Sequence, residues 1–130
     1  MIVTIGTNDT MASSGDQLDY FQALVDTMGQ AKVDAFARLF VVPQGDHLLA
    51  GRNYSLDGDG KTIPTAPIPN PTFLQQADWL VDWVENNTPP SKSPKVTAGD
   101  RSLPLCSYPM YPKYVDGPTN LASSYRCALP

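Results

Sequence analysis

The sequence lacks an apolar run long enough to cross a membrane, and it is poor in basic charge. A membrane-spanning helix needs about 20 consecutive apolar residues, and none of the apolar runs approaches that length. Nine basic residues against thirteen acidic ones give a net charge of −4, without a cluster of lysines or arginines. We therefore expect neither a membrane nor a nucleic acid as a partner.

Cysteine and histidine are also scarce, since the chain has two cysteines and one histidine, His47. Cys106 and Cys127 could close a loop of about 20 residues, worth roughly 3 kcal/mol by the loop-entropy model. The N-terminus lacks the charged segment and the long apolar run of a signal peptide. We expect no cofactor. The segment "DGDGK" at 57–61 favours a tight turn over a calcium-binding loop, because the glutamate that ends such a loop is missing.

What is present is enough apolar sequence for one domain. The chain has 130 residues, of which 42% are hydrophobic, and this is sufficient for a core. Its thirteen prolines gather in the second half. We therefore expect a folded portion over residues 1–90, followed by an extended, proline-rich tail over residues 91–130 that packs on the same domain.

The first 43 residues predict a strand, a helix and a second strand. "MIVTIG" is a β-branched run that Gly6 ends, and "DAFARLFVVP" is a nearly continuous apolar run that Pro43 ends. Between them, helical spacing predicts a helix with Ser14 as N-cap and Gly29 as C-terminal stop. The apolar face of that helix comprises Leu18, Phe21, Leu24, Val25 and Met28. This order predicts a βαβ unit with parallel strands.

The same unit predicts a functional edge. The loops that follow two parallel strands emerge at the same edge of a sheet, where open α/β sheets bind their ligands. The first loop contains Asp9 and the second contains His47. A carboxylate beside an imidazole can orient the ring and leave its other nitrogen as a base. Asp16 and Asp19 are the alternatives to Asp9.

The second half predicts a surface loop and another helix. Residues 51–71 are rich in Gly, Asp, Asn and Pro and are expected to form a long surface loop. A helix is expected after Thr72 as N-cap, with one apolar face formed by Phe73, Ala77, Leu80, Val81 and Val84. Trp79 and Trp83 are neighbours on this helix, and packing in a core or an interface is favoured over a sugar-binding platform.

Several segments resemble the C-terminal part of the tannase and feruloyl esterase family of α/β-hydrolases. They are "FARLFVVPQGDH", "ADWLVDWVENNTPP", "LPLCSYPMYPKY" and the closing "SYRCALP". The resemblance implies a strand–helix–strand–helix part of an α/β-hydrolase sheet and hydrolysis of aromatic acid esters through a serine nucleophile. It further implies that His47 is the general base, Asp9 the orienting acid, and Cys106 with Cys127 a structural disulfide that clamps the tail.

The resemblance has two departures and leaves the nucleophile unassigned. Family members commonly have a cysteine after the histidine, where this chain has Leu48, and Asp46 adds a negative charge before it. The triad of α/β-hydrolases runs serine, acid, histidine along the chain, yet no G-x-S-x-G occurs here, and Ser13 and Ser14 precede a helix. We therefore expect the nucleophile to lie outside this chain, which alone should be inactive.

The cysteines and three N-glycosylation sequons bear on where the protein is located. A disulfide would not persist in a reducing cytosol, and N-glycosylation sequons are present at Asn8, Asn53 and Asn86. Both observations favour a secreted or otherwise extracytoplasmic protein. The alternative is a small, secreted, disulfide-stabilised binding module without catalysis. In either case an exposed strand edge could support self-association.

Overall fold

Two parallel strands and the helices that connect them form the centre of the computed structural model, which describes residues 1–49, 55–56, 58–63 and 67–130. Strand β1 (Ile2–Gly6) pairs in parallel with β2 (Arg38–Val42), so that Gly6 lies opposite Val42. Helices α1 (Ser14–Met28) and α2 (Gln30–Phe36) connect the two strands. The two loops that leave the strands therefore begin at the same edge of this sheet.

The second strand is shorter than the sequence predicted. Of the segment 34–43, residues 34–36 belong to α2, and the strand begins at Arg38. Val33 is fully buried on α2, and the side chain of Gln30 donates to Asp34 one turn later at 2.8 Å. A short apolar run does not distinguish a strand from the last turn of a buried helix, and here the helix continues into it.

The N-cap of α1 is Ser13 rather than Ser14. The Ser13 hydroxyl accepts a hydrogen bond from the Asp16 amide at 3.2 Å, which is the contact that defines an N-cap. The Ser14 hydroxyl instead donates to the Gly6 carbonyl at 2.6 Å. It therefore ties the start of α1 to the end of β1.

Apolar side chains pack on both faces of the two-stranded sheet. On one face, α1 and α2 contribute to a cluster of Ile5, Phe21, Val33, Ala37 and Leu39, against which Leu18, Leu24 and Val25 pack. On the other face, a second cluster comprises Phe40, Val42, Ile68, Val96 and Leu105. Strand β2 is therefore covered on both faces, as its nearly continuous apolar sequence indicates.

Helix α3 (Phe73–Asn86) begins at the predicted N-cap and packs on the sheet through its two tryptophans. Thr72 and Gln75 form a capping box. The apolar face that the sequence indicates is turned to solvent, because Phe73, Leu80, Val81 and Val84 are exposed. The helix contacts the sheet through Trp79, whose ring centroid lies 5.8 Å from that of Phe40, and through Trp83, which stacks under the Arg38 guanidinium.

The second half contains more regular structure than the sequence predicted. The segment 51–71 includes an antiparallel pair, β3 (Ser55–Leu56) and β4 (Thr62–Ile63), with residues 58–60 in the turn; positions 50–54, 57 and 64–66 lie outside the described residues. The tail forms two antiparallel pairs, β5 (Lys95–Ala98) with β6 (Arg101–Pro104) and β7 (Tyr111–Tyr114) with β8 (Tyr125–Ala128). Strands of four residues are too short to show a clear alternation.

A disulfide closes a loop within the tail, and hydrogen bonds attach the tail to the sheet and to α1. Cys106 and Cys127 form a disulfide with a sequence separation of 21 residues, as the family resemblance implies. The Tyr108 amide donates to the Leu39 carbonyl at 2.8 Å, and its hydroxyl donates to Gln22 on α1 at 2.6 Å. The tail therefore packs beside β2 and against α1. No helix in the described part of the chain is long and apolar enough to span a membrane.

Candidate functional site

The two loops at the carboxyl edge of the sheet approach each other closely because two glycines meet there. A Cβ atom on Gly6 would lie 2.1 Å from the Gly45 carbonyl oxygen, a separation that no side chain permits. A Cβ atom on Gly45 would lie 3.2 Å from the Gly6 Cα. Glycine at position 6 is therefore required for the backbone of the second loop to cross the end of β1.

Hydrogen bonds hold the two loops together beyond that crossing. The Thr7 amide donates to the Val42 carbonyl at 3.1 Å, and the Asn8 amide donates to the Gly45 carbonyl at 2.9 Å. The Thr7 hydroxyl accepts from the Gln44 amide at 2.7 Å. The next residue of the first loop is Asp9, so these contacts fix its position relative to the loop that contains His47.

The structure brings Asp9 and His47 into direct contact. His47 Nδ1 lies 2.9 Å from Asp9 Oδ2, although the residues are 38 positions apart in the sequence. Asp9 Oδ1 accepts from the amides of Met11 and Ala12 at 2.8 and 2.9 Å. The Asp9 side chain is only 7% exposed, whereas that of His47 is 43% exposed. The carboxylate is therefore fixed, and the imidazole projects from it into solvent.

The electrostatics of the pair favour an ionised Asp9. The hydrogen bond from the Ala12 amide, followed by that from His47, holds the pKa of Asp9 below its usual value. An ionised carboxylate can only accept a hydrogen bond, so Nδ1 of His47 carries the hydrogen in this contact. The neutral ring then has its lone pair on Nε2, which has no hydrogen-bond partner among the described residues. This is the arrangement of an oriented general base.

The alternatives to Asp9 lie elsewhere. Asp16 and Asp19 are exposed residues of α1, and the structure brings neither of them to His47. Ser13 and Ser14 are used in the hydrogen bonds that begin α1. The two residues that depart from the family pattern, Asp46 and Leu48, lie in the loop after β2. The Asp46 carboxylate accepts a hydrogen bond from the Leu48 amide at 3.1 Å, and the Leu48 side chain is 81% exposed.

The remaining predicted features do not contribute to this site. Trp79 and Trp83 pack against β2, as described above. Groups of three or more His, Cys, Asp or Glu residues that could hold a metal ion are absent from the described ranges. Of the sequon residues, Asn8 and Asn86 are exposed, and Asn53 lies outside the described part of the chain.

Sequence reasoning missed the residues that support the pair. Thr7, Gln44 and Gly45 were not singled out, although Gln44 has a positive φ of 64° and the Pro-Gln-Gly run indicates a turn. The turn was visible in the sequence. Its hydrogen bond to the Thr7 side chain was not, because that bond depends on the two strands being neighbours.

The fold of this chain is found in solved esterase structures. Feruloyl esterase B from Aspergillus oryzae is similar with a TM-score of 0.70 and 21% identity, over 98% of this chain and 26% of that one. A second esterase from the same species is similar with a TM-score of 0.67 and 18% identity, over 98% of this chain and 27% of that one. The class of fold is therefore that of the feruloyl esterase structures, which is α/β.

Sequence comparison then identifies the family. The family described as "Tannase and feruloyl esterase" matches residues 1–128, and the chain belongs to it. "Uncharacterized esterase Atu5261" from Agrobacterium fabrum is 34% identical over 95% of this chain. "Probable feruloyl esterase" from Arthroderma benhamiae is 34% identical over 95% of this chain as well. The chain spans 20% and 21% of the lengths of these two relatives.

Proposed function

We propose that this chain is the C-terminal part of a carboxylic ester hydrolase of the tannase and feruloyl esterase type. In this proposal His47 is the general base and Asp9 the acid that orients it. His47 Nε2 takes the proton of a serine hydroxyl as the serine attacks the ester carbonyl, and gives it to the alcohol that leaves as the acyl-enzyme forms. It then takes a proton from the water that attacks the acyl-enzyme and returns it to the serine oxygen as the acid is released. The contact between Asp9 and His47 is the observation that carries this assignment.

The serine nucleophile belongs to polypeptide outside this chain. The serines nearest to the pair in sequence, Ser13 and Ser14, are used to begin α1, and no G-x-S-x-G occurs. The free edge of β1 is where that polypeptide would dock. Among the described residues no strand pairs with this edge, and beside it an apolar groove of 330 Å³ is lined by residues that include Val3, Tyr20 and Leu39.

A second copy of the chain could use the same edge. A strand with unpaired N–H and C=O groups is a template for another strand, so self-association through β1 is expected when the nucleophile-bearing polypeptide is absent. Domain organisation follows from the same proposal: residues 1–90 form the C-terminal part of the catalytic domain, and residues 91–130 pack on it.

The proposed substrate class is an ester of an aromatic acid, supported by membership of the family and by the names of the relatives. The proposed location is secreted or otherwise extracytoplasmic, supported by the disulfide between Cys106 and Cys127, which a reducing cytosol would not maintain. Neither proposal depends on a cofactor.

Replacement of the aligned segment in a relative tests the function. This chain replaces the 129 aligned residues of the Agrobacterium fabrum esterase, and hydrolysis of methyl ferulate and of a chromogenic aromatic ester is measured. We expect activity with the replaced segment, and a loss of about a thousandfold or more in kcat/KM for His47→Ala and for Asp9→Asn.

Two controls make the result decisive. Asp19→Asn removes an exposed carboxylate of α1 and is expected to retain kcat/KM within about threefold. The unmodified relative establishes which esters are hydrolysed before replacement. An active hybrid that loses nothing with His47→Ala contradicts the proposal. A folded hybrid without any activity, beside an active relative, favours the alternative of a binding module.

A further inference from the structure

The hydroxyl of Thr7 occupies a specific place between the two loops. Besides the contact between Asp9 and His47, four of the contacts described above join the first loop and the end of β1 to the second loop. Three of these four involve only backbone atoms: the Gly6–Gly45 crossing and the amides of Thr7 and Asn8. The fourth is the bond from the Gln44 amide to the Thr7 hydroxyl, at 2.7 Å. Thr7 is therefore the one position in this set where a side chain can be changed without altering the backbone.

The partner of that hydroxyl is in an unfavourable conformation. Gln44 has a φ of 64°, in the left-handed region that residues other than glycine rarely adopt. The turn that it makes directs the Gly45 carbonyl toward the Asn8 amide, and two residues later the chain reaches His47. A turn of this kind persists only where surrounding contacts hold it, and the Thr7 hydroxyl supplies one of them.

We infer that Thr7 is a positioning residue for the Asp9–His47 pair, acting through the left-handed turn at Gln44. Its hydroxyl holds the Gln44 amide, the turn holds the Gly45 carbonyl over Asn8, and His47 Nδ1 is thereby kept within hydrogen-bond reach of Asp9 Oδ2. The catalytic consequence rests on the proposed function, whereas the structural statement does not. Thr7 itself touches neither His47 nor a substrate in this scheme.

The single histidine of the chain gives a direct readout. All imidazole ¹⁵N signals of the protein belong to His47, so long-range ¹H–¹⁵N correlation spectra report its tautomer without assignment. Contact with Asp9 favours the Nδ1–H tautomer, whereas an unrestrained imidazole in water favours Nε2–H. We expect mainly Nδ1–H in the unmodified chain and a shift toward Nε2–H in Thr7→Val, which keeps the branched shape and removes the hydroxyl.

Two further variants separate the hydroxyl from a general structural effect. Thr7→Ser keeps the hydroxyl and is expected to restore the Nδ1–H tautomer. Thr97→Val makes the same chemical change at an exposed position of β5 and is expected to leave the tautomer unchanged. If Thr7→Val does not fold, Thr7→Ala is measured in its place, with the same expected shift.

The outcomes separate this inference from the proposed function. An unchanged tautomer in Thr7→Val overturns the positioning role, and so does an equal shift in Thr7→Ser. In the hybrid esterase, Thr7→Val is expected to lower kcat about tenfold with KM little changed, since a small misplacement of a catalytic group is costly. If the hybrid is inactive, the proposed function fails, while the tautomer measurement still decides the role of Thr7.

Discussion

The two long helices have similar sequence patterns but pack differently. Helix α1 places its apolar face on the sheet, and its Phe21 is 4% exposed; α3 turns its apolar face to solvent, and its Phe73 is 83% exposed. Periodicity establishes that a helix has an apolar face, but it does not establish what covers that face. In α1 the cover is β1 and β2. In α3 it is not provided by the described part of this chain.

The contrast agrees with the proposed function. The exposed face of α3 is apolar, and large exposed apolar patches mark contact sites. The free edge of β1 presents unpaired backbone groups beside an apolar groove, and such an edge is a template for another strand. The chain spans about a fifth of its curated relatives, so other parts of such an esterase are available to cover both surfaces.

The largest expected effect comes from the matched pair of phenylalanines. Phe21→Ala removes a buried ring that packs against Tyr108 and should lower the free energy of unfolding by about 3–5 kcal/mol. Phe73→Ala removes an exposed ring and should change it by about 0.5 kcal/mol or less. Urea unfolding of the isolated chain measures both. Equal losses would show that α3 packs through its apolar face after all.

The comparison of the helices also shows what sequence could and could not predict. The proximity of Asp9 and His47 followed from strand order alone, because two neighbouring parallel strands place the loops that follow them at the same edge of the sheet. The exposure of the apolar face of α3 did not follow, because the sequence pattern of α3 has the same form as that of α1, whose apolar face is buried. Helix α2 (Gln30–Phe36) was missed as a whole. The expected helix stopped at Gly29, and the apolar run that contains the end of α2 suits a helix or a strand equally.

A second expected effect concerns the tail, in which a disulfide closes a loop that contains short strands. Replacing both Cys106 and Cys127 by serine opens a loop closed over 21 residues and should cost about 3 kcal/mol. This is close to the loss expected for Phe21→Ala and far above that for Phe73→Ala. Urea unfolding with and without a reducing agent measures the loss. If the unmodified chain loses no stability when it is reduced, the disulfide does not stabilise the fold as expected.

A smaller effect is expected at the cap of α3. The Thr72 hydroxyl accepts from the Gln75 amide at 3.1 Å, and loss of such a cap costs about 1 kcal/mol. Because α3 is lightly packed, Thr72→Ala should raise amide exchange in its first turns by about fivefold. The matched variant is Ser13→Ala at the cap of α1, where packing against the sheet should limit local opening. Equal exchange increases in both helices would remove the distinction between them.

The smallest expected effect is the pH dependence of the loop that holds Asp9. The Ala12 amide and His47 lower the pKa of the folded carboxyl, so the folded state binds its proton less readily than the unfolded chain does. This contribution to stability is fully present above the unfolded pKa of about 3.9 and is lost as the pH falls through the folded pKa. Asp9→Asn should therefore be less stable than the unmodified chain at pH 6, with the difference shrinking below about pH 4.

Urea unfolding at several pH values measures that difference, with Asp19→Asn as the control for removing one acidic charge. A difference between Asp9→Asn and the unmodified chain that stays constant down to pH values far below 4 would show that the Asp9 charge is not what the contacts stabilise. The pH dependence of the Asp9 contacts allows polar contacts to be compared with the apolar contacts of α1 and α3. As in α1, a side chain stabilises the fold where the chain itself supplies its partners, and both oxygens of Asp9 have theirs in the two loops.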